Sequence, residues 1–363
     1  KSYIYSTIGR KNKSKPTQHS IRKLQELGIQ PDLLICRSSK AISDDFRRKI
    51  GLLCGISPDC IIEGRDTKLV DEIPIRLERQ GFAGQVVRRL GLPDNPPTSS
   101  RWAEMVRVLR RPEGEVHIAV VGKYVKGTDA YLSVAEALKH GGIANRVAVK
   151  IHWVESGLLE NSNPEMTNNR ENGLNQVFQG IDGILVPGGF GVRGIEGMVV
   201  AVNYARRNQI PYLGLCLGMQ CLVIEFARHV CSLADANSSE FAPETAHPVV
   251  DLMEDQKDIR NLGGTMRLGH YPCQIRTGTK TYQAYQTTEV MERHRHRYEL
   301  NNRYRDLFEA KGLYLSGISP DQNLVEITEV QDHPWMVGSQ FHPEFQSKPL
   351  EPHPLFRAFI EKA

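Results

Sequence analysis

No cysteine in the chain sits in a Cys-x-x-Cys pair, and the total of seven is odd. That speaks against a disulfide framework and against a zinc site, and makes a reducing, cytoplasmic setting the default. No stretch reaches about 18 consecutive apolar residues, so no membrane span is expected. Internal repeats and low-complexity tracts are absent, which argues against a solenoid or a disordered tail. No basic run is interleaved with aromatic residues, so nucleic acid is not an expected partner.

What is present fits a globular protein. Of the 363 residues, 40% are hydrophobic and 24% charged, and at roughly 100–200 residues per domain the length suggests two or three domains. The net charge of +4 is unevenly spread: residues 1–114 hold 22 Lys/Arg against 13 Asp/Glu, leaving an acidic remainder. A basic segment can mean phosphate-bearing partners, although a solvated basic face is the simpler explanation.

Residues 1–100 read as short helices and strands. They include a helix over His19–Leu27 stopped by Gly28, a strand at Leu33–Cys36 and a helix capped by Ser43. Pro93, Pro96 and Pro97 mark a domain edge, followed by a linker helix over 101–114. From residue 115 strands and helices alternate: strand His117–Val121, helix Ala130–His140 closed by Gly141-Gly142, and strand Arg146–Trp153. Strand Ile181–Val186, helix Gly194–Arg207, strand Pro211–Leu215 and helix Gly218–Val230 continue the pattern. Leu324–Val330 and Trp335–Phe341 read as late strands and Leu355–Glu361 as a closing helix. The pattern predicts an α/β fold, an open, mostly parallel sheet flanked by helices.

The segment Gly214-Leu215-Cys216-Leu217-Gly218 places glycines two residues either side of a cysteine, between a strand and a helix. This is a nucleophile elbow with Cys in place of Ser. The turn is too tight for side chains at the flanking positions, and it sets the sulfur at a helix N-terminus, which favours thiolate. The Leu217 N–H is a candidate oxyanion donor. A structural cysteine after a core strand is the alternative. The segment Phe341-His342-Pro343-Glu344 ends another apolar strand. His342 suits a base that also protonates a leaving amine, and Glu344 can orient its ring. Pro187-Gly188-Gly189-Phe190-Gly191 offers close-approach backbone N–H groups, with Gly189 a second oxyanion donor, but lacks a Walker lysine. Arg293–Glu299 is either a solvated basic face or the source of an arginine that grips a small carboxylate.

Gly-Leu-Cys-Leu-Gly-Met-Gln with Phe-His-Pro-Glu resembles the class I, triad-type glutamine amidotransferases, of flavodoxin-like fold. Lys13–Ser20, Gly28–Ser38, Ala137–Gly142, Pro187–Gly194, Asn237–Phe241, Gly264–Gly269 and Arg293–Glu299 narrow the resemblance to the CTP synthase family. It implies a Cys216-His342-Glu344 triad, with Gly189, Leu217, Gly218, Met219, Gln220, Glu240 and Arg297 around the glutamine. It also implies UTP and feedback CTP at Lys13, Ser14, Lys15, Pro16, Thr17, Gln18 and Lys49, and ATP at Arg65, Asp66 and Thr67. The implied partners are glutamine, UTP, ATP with Mg²⁺, CTP, and GTP as activator, in a homo-oligomer that is a tetramer in the family. The first 100 residues match only the end of the family's P-loop-type synthetase domain. Its phosphate loop and Mg²⁺ ligands are therefore expected upstream of Lys1, and glutamine hydrolysis alone is expected of this chain. A regulatory nucleotide-binding or assembly subunit, or a stand-alone glutaminase, is the competing expectation.

Overall fold

The computed structural model describes residues 4–5, 14–93, 95, 99–125, 127–160, 170–252, 266–320 and 323–363. The chain divides into two compact units, residues 1–107 and 108–363. The division falls inside the helix Ser100–Arg110, and Gly114 already begins the next strand, so the linker expected over 101–114 is one helix and a strand start.

In the first unit β1 (Ile4–Tyr5), β2 (Leu34–Ser38) and β3 (Ile61–Arg65) form a parallel sheet in that order. The helix Lys15–Glu26 starts four residues earlier than the sequence suggests, because proline is tolerated in a first turn, where its missing N–H is not needed. The helix Asp44–Cys54 is capped by Ser43, whose hydroxyl accepts from the Phe46 N–H at 3.2 Å, and ends at Gly55 in a left-handed conformation. Ile21, Leu34, Ile50 and Ile61 fill the core.

The second unit is built on a sheet that counts nine strands among the described residues, in the order β11-β10-β13-β14-β15-β7-β6-β4-β5. The strands β15 (Met336–Ser339), β7 (Tyr212–Leu215), β6 (Gly183–Val186), β4 (Gly114–Gly122) and β5 (Val147–Glu155) are mutually parallel. Antiparallel β10 (Arg267–Ile275), β11 (Glu289–His296), β13 (Leu313–Ile318) and β14 (Val325–Val330) extend the β15 side. A small sheet joins β12 (Tyr298–Leu300), β9 (Pro248–Leu252) and β8 (Asn237–Ser238).

The alternation of a strand sorts its side chains to two faces. Ala119, Val121, Ile184, Val186 and Tyr212 pack with the helices Ile195–Arg207 and Leu217–His229. Ile118, Val120, Leu185, Leu213 and Leu215 pack on the other face with the helices Leu132–Ala144 and Pro354–Lys362. Gly141-Gly142 does not close the first of these; the helix runs through it to Ala144. The reason is contact. A Cβ at Gly141 would lie 2.8 Å from the Phe356 carbonyl oxygen, and one at Gly142 would lie 2.7 Å from a Val149 methyl. Among the described residues no helix is long and apolar enough to cross a membrane.

Candidate active site

β7 ends at Leu215, and the next residue, Cys216, has φ 51° and ψ −98° before the helix Leu217–His229 begins. A side chain held at positive φ stores strain, which the surroundings must hold in place. They do so from three sides. The Cys216 N–H donates to the Ser339 carbonyl at 2.7 Å, tying the turn to β15. A Cβ at Gly214 would stand 2.6 Å from the Gly218 carbonyl carbon, and one at Gly218 would stand 2.1 Å from the Val186 carbonyl oxygen. Only glycine lets the helix start approach β6 this closely. The Tyr212 hydroxyl then donates to the Gly218 carbonyl at 2.8 Å. Cys216 is 4% exposed and its sulfur sits at the start of a 13-residue helix, where the dipole favours an anion. By contrast, burial pushes the Cys221 thiol up to about 12, which leaves it inert.

β15 delivers His342 three residues after its last residue, and Pro343 opens a short 3₁₀ turn that brings Glu344 back toward the ring. His342 Nδ1 and Glu344 Oε1 are 2.8 Å apart. The Cys216 side chain and the imidazole both border Gly188, where an added Cβ would lie 2.8 Å from His342 Cε1 and 3.6 Å from Cys216 Cβ. Burial pulls the His342 pKa down, but the neighbouring Cys216 sulfur and the Glu344 carboxylate outweigh it and lift the imidazole to about 10. The ring is therefore cationic at neutral pH and has a proton to give.

A cavity of about 280 Å³ opens beside the sulfur, lined among others by Gly189, Cys216, Gln220, Glu240, Arg297 and Tyr298. Its volume is at the small end for ligand sites, which suits a metabolite of amino-acid size. Glu240 Oε1 accepts from the Gly191 N–H at 3.3 Å; burial raises its pKa, and this bond, Lys123 and Arg297 pull it back without cancelling the rise. An acidic group and a guanidinium lining the same cavity match the ammonium and carboxylate of an α-amino acid.

Of the residues expected around the substrate, Gly189, Gln220, Glu240 and Arg297 share this cavity with Cys216. Leu217 and Met219 do not bring side chains to it; both are buried in the core. Gln220 is one helical turn from Cys216 and shares its face, whereas Leu217 and Met219, on either side of that face, are taken up by packing. Gly218 packs on β6. Leu217 still adjoins the mouth, as a Cβ at Gly189 would meet its Cδ2 at 3.3 Å.

Two residues at the site carried no sequence signal. Gln340 donates from Nε2 toward Cys216 Sγ at 3.7 Å. Buried Lys123, just past β4, donates from Nζ to the Phe190 carbonyl at 3.1 Å and to the Gly191 carbonyl, holding the loop that faces Glu240. Both follow strand ends of the parallel sheet, which is the signal that could have found them.

In the first unit, Ser14 precedes the helix Lys15–Glu26 and accepts from Gln18 Nε2 at 3.0 Å. Lys15, Pro16 and Lys49 are exposed and Thr17 is buried. Lys13 lies outside the described residues. Arg65 ends β3, Asp66 accepts from Arg37 Nε at 3.0 Å, and the Thr67 hydroxyl donates to the Leu69 carbonyl at 3.2 Å.

The class I glutamine amidotransferase family model matches residues 127–362, and the model of the CTP synthase N-terminus matches residues 2–92. A solved structure, the glutaminase domain of Trypanosoma brucei CTPS with bound acivicin, is 38% identical and superposes with a TM-score of 0.62. That match covers 68% of this chain and 93% of the other. The chain belongs to the CTP synthase family. The CTP synthase of Caldanaerobacter subterraneus subsp. tengcongensis is 53% identical over 96% of this chain and 63% of its own length. That of Ruminiclostridium cellulolyticum is 50% identical over 99% of this chain and 65% of its own length. The chain thus spans less than two thirds of the relatives it matches along its whole length.

Proposed function

We propose that the second unit hydrolyses glutamine to glutamate and ammonia through Cys216, His342 and Glu344. The observation that carries this is that the Cys216 side chain and the His342 ring both border Gly188 and that the two interact, beside a cavity with Glu240 and Arg297 on its wall. Glu240 holds the substrate ammonium and Arg297 its carboxylate. The thiolate adds to the δ-carbonyl, and the backbone N–H groups of Gly189 and Leu217 hold the oxyanion. His342 protonates the departing ammonia as the C–N bond breaks and a thioester remains. Water then adds to the thioester, giving its proton to His342, and the C–S bond breaks to release glutamate and the thiolate. Glu344 steadies the imidazolium in the first half.

In the whole family reaction the ammonia aminates UTP at the expense of ATP, with Mg²⁺. We extend this reaction to the protein as a CTP synthase. Ser14–Gln18 and Lys49 serve UTP and feedback CTP, and Arg65–Thr67 serve ATP. Among the described residues no group of three His, Cys, Asp or Glu is placed to hold a metal ion, and no step above runs through Mg²⁺. Activation by GTP, assembly into homo-oligomers and a cytoplasmic setting rest on family membership.

The test is glutamate release from glutamine, with and without GTP, by the wild-type chain and by Cys216→Ala. The variant is expected to lose about 10⁴-fold or more, as triads do when the nucleophile is removed. Retained hydrolysis removes Cys216 from the mechanism.

A further inference from the structure

Beneath the cavity lies a closed ring of five buried polar side chains. Arg267 Nη1 stands 2.6 Å from Glu326 Oε1 and 3.6 Å from Glu299 Oε1. His294 Nε2 is 3.5 Å from Glu326 Oε2, and His296 Nδ1 is 3.4 Å from Glu299 Oε1. The two imidazoles close the ring, with His294 Nδ1 and His296 Nε2 2.8 Å apart. None of the five is more than 4% exposed. Arg267 also lies over the Tyr271 ring, 4.5 Å from its centroid.

Charge balance limits how such a group can exist. Burial lowers both imidazoles, His296 to about 3, so neither carries charge at neutral pH. Burial raises both carboxylates, Glu326 to about 7 and Glu299 well above the usual range. Both carboxylates face the one guanidinium of Arg267. Buried ion pairs of this kind contribute little net stability against an apolar core of equal volume. Within this ring the imidazoles share a hydrogen bond, while the carboxylates and the guanidinium face one another as close ion pairs without hydrogen-bond geometry, and their attraction in a dry interior ties the five positions together.

The ring touches the site at both ends. His296 lines the cavity, and Arg297 and Tyr298, which also line it, lie between His296 and Glu299. On the other side, the Glu326 carbonyl accepts from the Gln340 N–H at 2.8 Å, and the Arg293 carbonyl, one residue before His294, accepts from the His342 N–H at 2.8 Å. We propose that Arg267, Glu299, Glu326, His294 and His296 form a positioning unit, which holds the Arg297–Tyr298 turn at the distance from His342 that seats the substrate carboxylate. It rests on the glutamine-hydrolysis reading and deepens it: the ring sets how tightly the α-carboxylate is gripped while leaving the chemistry of the sulfur alone.

The test uses Arg267→Lys and Glu299→Gln in the full chain, with folding checked by cooperative melting. Steady-state glutamate release gives KM and kcat. The rate at which iodoacetamide alkylates Cys216, read on the isolated peptide with and without glutamine, reports the triad and the grip separately. Arg267→Lys is expected to raise KM about tenfold with kcat within about threefold, to leave the alkylation rate near wild type, and to weaken protection by glutamine in proportion. Glu299→Gln, which leaves Glu326 to Arg267, shows the same split at about threefold. If the lysine variant fails to fold, the glutamine variant decides. Folded variants with unchanged KM overturn the proposal, as does a parallel fall in kcat and alkylation rate. A wild-type chain that releases no glutamate overturns the hydrolysis reading instead; glutamine protection of Cys216 then still reports on the ring.

Discussion

Replacing Gly188 by alanine adds one methyl group between the Cys216 side chain and the His342 imidazole. The new Cβ would stand 2.8 Å from His342 Cε1 and 3.6 Å from Cys216 Cβ. The second distance is ordinary contact, so the nucleophile has no need to move. The first is not, and the imidazole has to retreat by about 0.6 Å to reach normal van der Waals separation. It cannot retreat freely, because Glu344 holds Nδ1 at 2.8 Å and the Arg293 carbonyl holds the His342 N–H at 2.8 Å. A displacement approaching 1 Å in a catalytic group costs up to about 100-fold in rate, or about 2.7 kcal/mol of barrier. Gly188→Ala is therefore expected to lower kcat for glutamate release about 10- to 100-fold. Its melting temperature should stay near wild type, since the loop residue is only half-buried. The assay is coupled glutamate detection under saturating glutamine, with the melting curve alongside. A variant that keeps kcat within twofold while folded would show that His342 does not work from this position, and the triad geometry would fall with it.

Glu344→Gln removes the hydrogen bond and the charge that favour the His342 cation. The imidazole pKa is expected to fall below its wild-type value of about 10, as read by NMR titration of the ring, and glutamate release to fall about 100-fold or more. An unchanged titration would place the ring's support elsewhere. Gly141→Ala reverses the usual sign. In a free helix the change stabilises by about 0.5–1 kcal/mol. Here the Cβ meets the Phe356 carbonyl oxygen at 2.8 Å and Ile360 Cγ1 at 3.1 Å, so a net loss of about 1–2 kcal/mol is expected, seen as a melting temperature lower by a few degrees; a rise would mean the two helices do not touch as described.

The elbow was readable from the sequence because part of its requirement is local. Gly214 is demanded within the turn by the Gly218 backbone, while Gly218 is demanded by the Val186 carbonyl of the neighbouring strand β6, so the motif carries both a local and a tertiary need. His342 and Glu344 were readable for the same reason, being two residues apart at a strand end. The parallel half of the sheet followed from apolar runs alternating with helical segments. Gly141-Gly142 misleads because glycine has two meanings, helix end and close approach, and only the neighbouring helix Pro354–Lys362 and strand β5 decide between them. Arg293–Glu299 reads either as a solvated basic face or as the source of a carboxylate-gripping arginine; β11 turns Arg293 and Arg295 outward and His294 and His296 inward. The strand's alternation was hidden because both faces carry polar residues.

Sequence alone pointed to the proposed nucleophile, base and orienting carboxylate, because each is specified by near neighbours along the chain. Tertiary structure decided which side chains share their cavity: Gln220 but not Leu217 or Met219 from the same helix, Gln340 and Lys123 from strand ends, and His296 from a strand distant in sequence. Local turns obey short-range sterics, whereas a cavity is where strands far apart in the chain converge, and their register is set by packing that no single segment encodes.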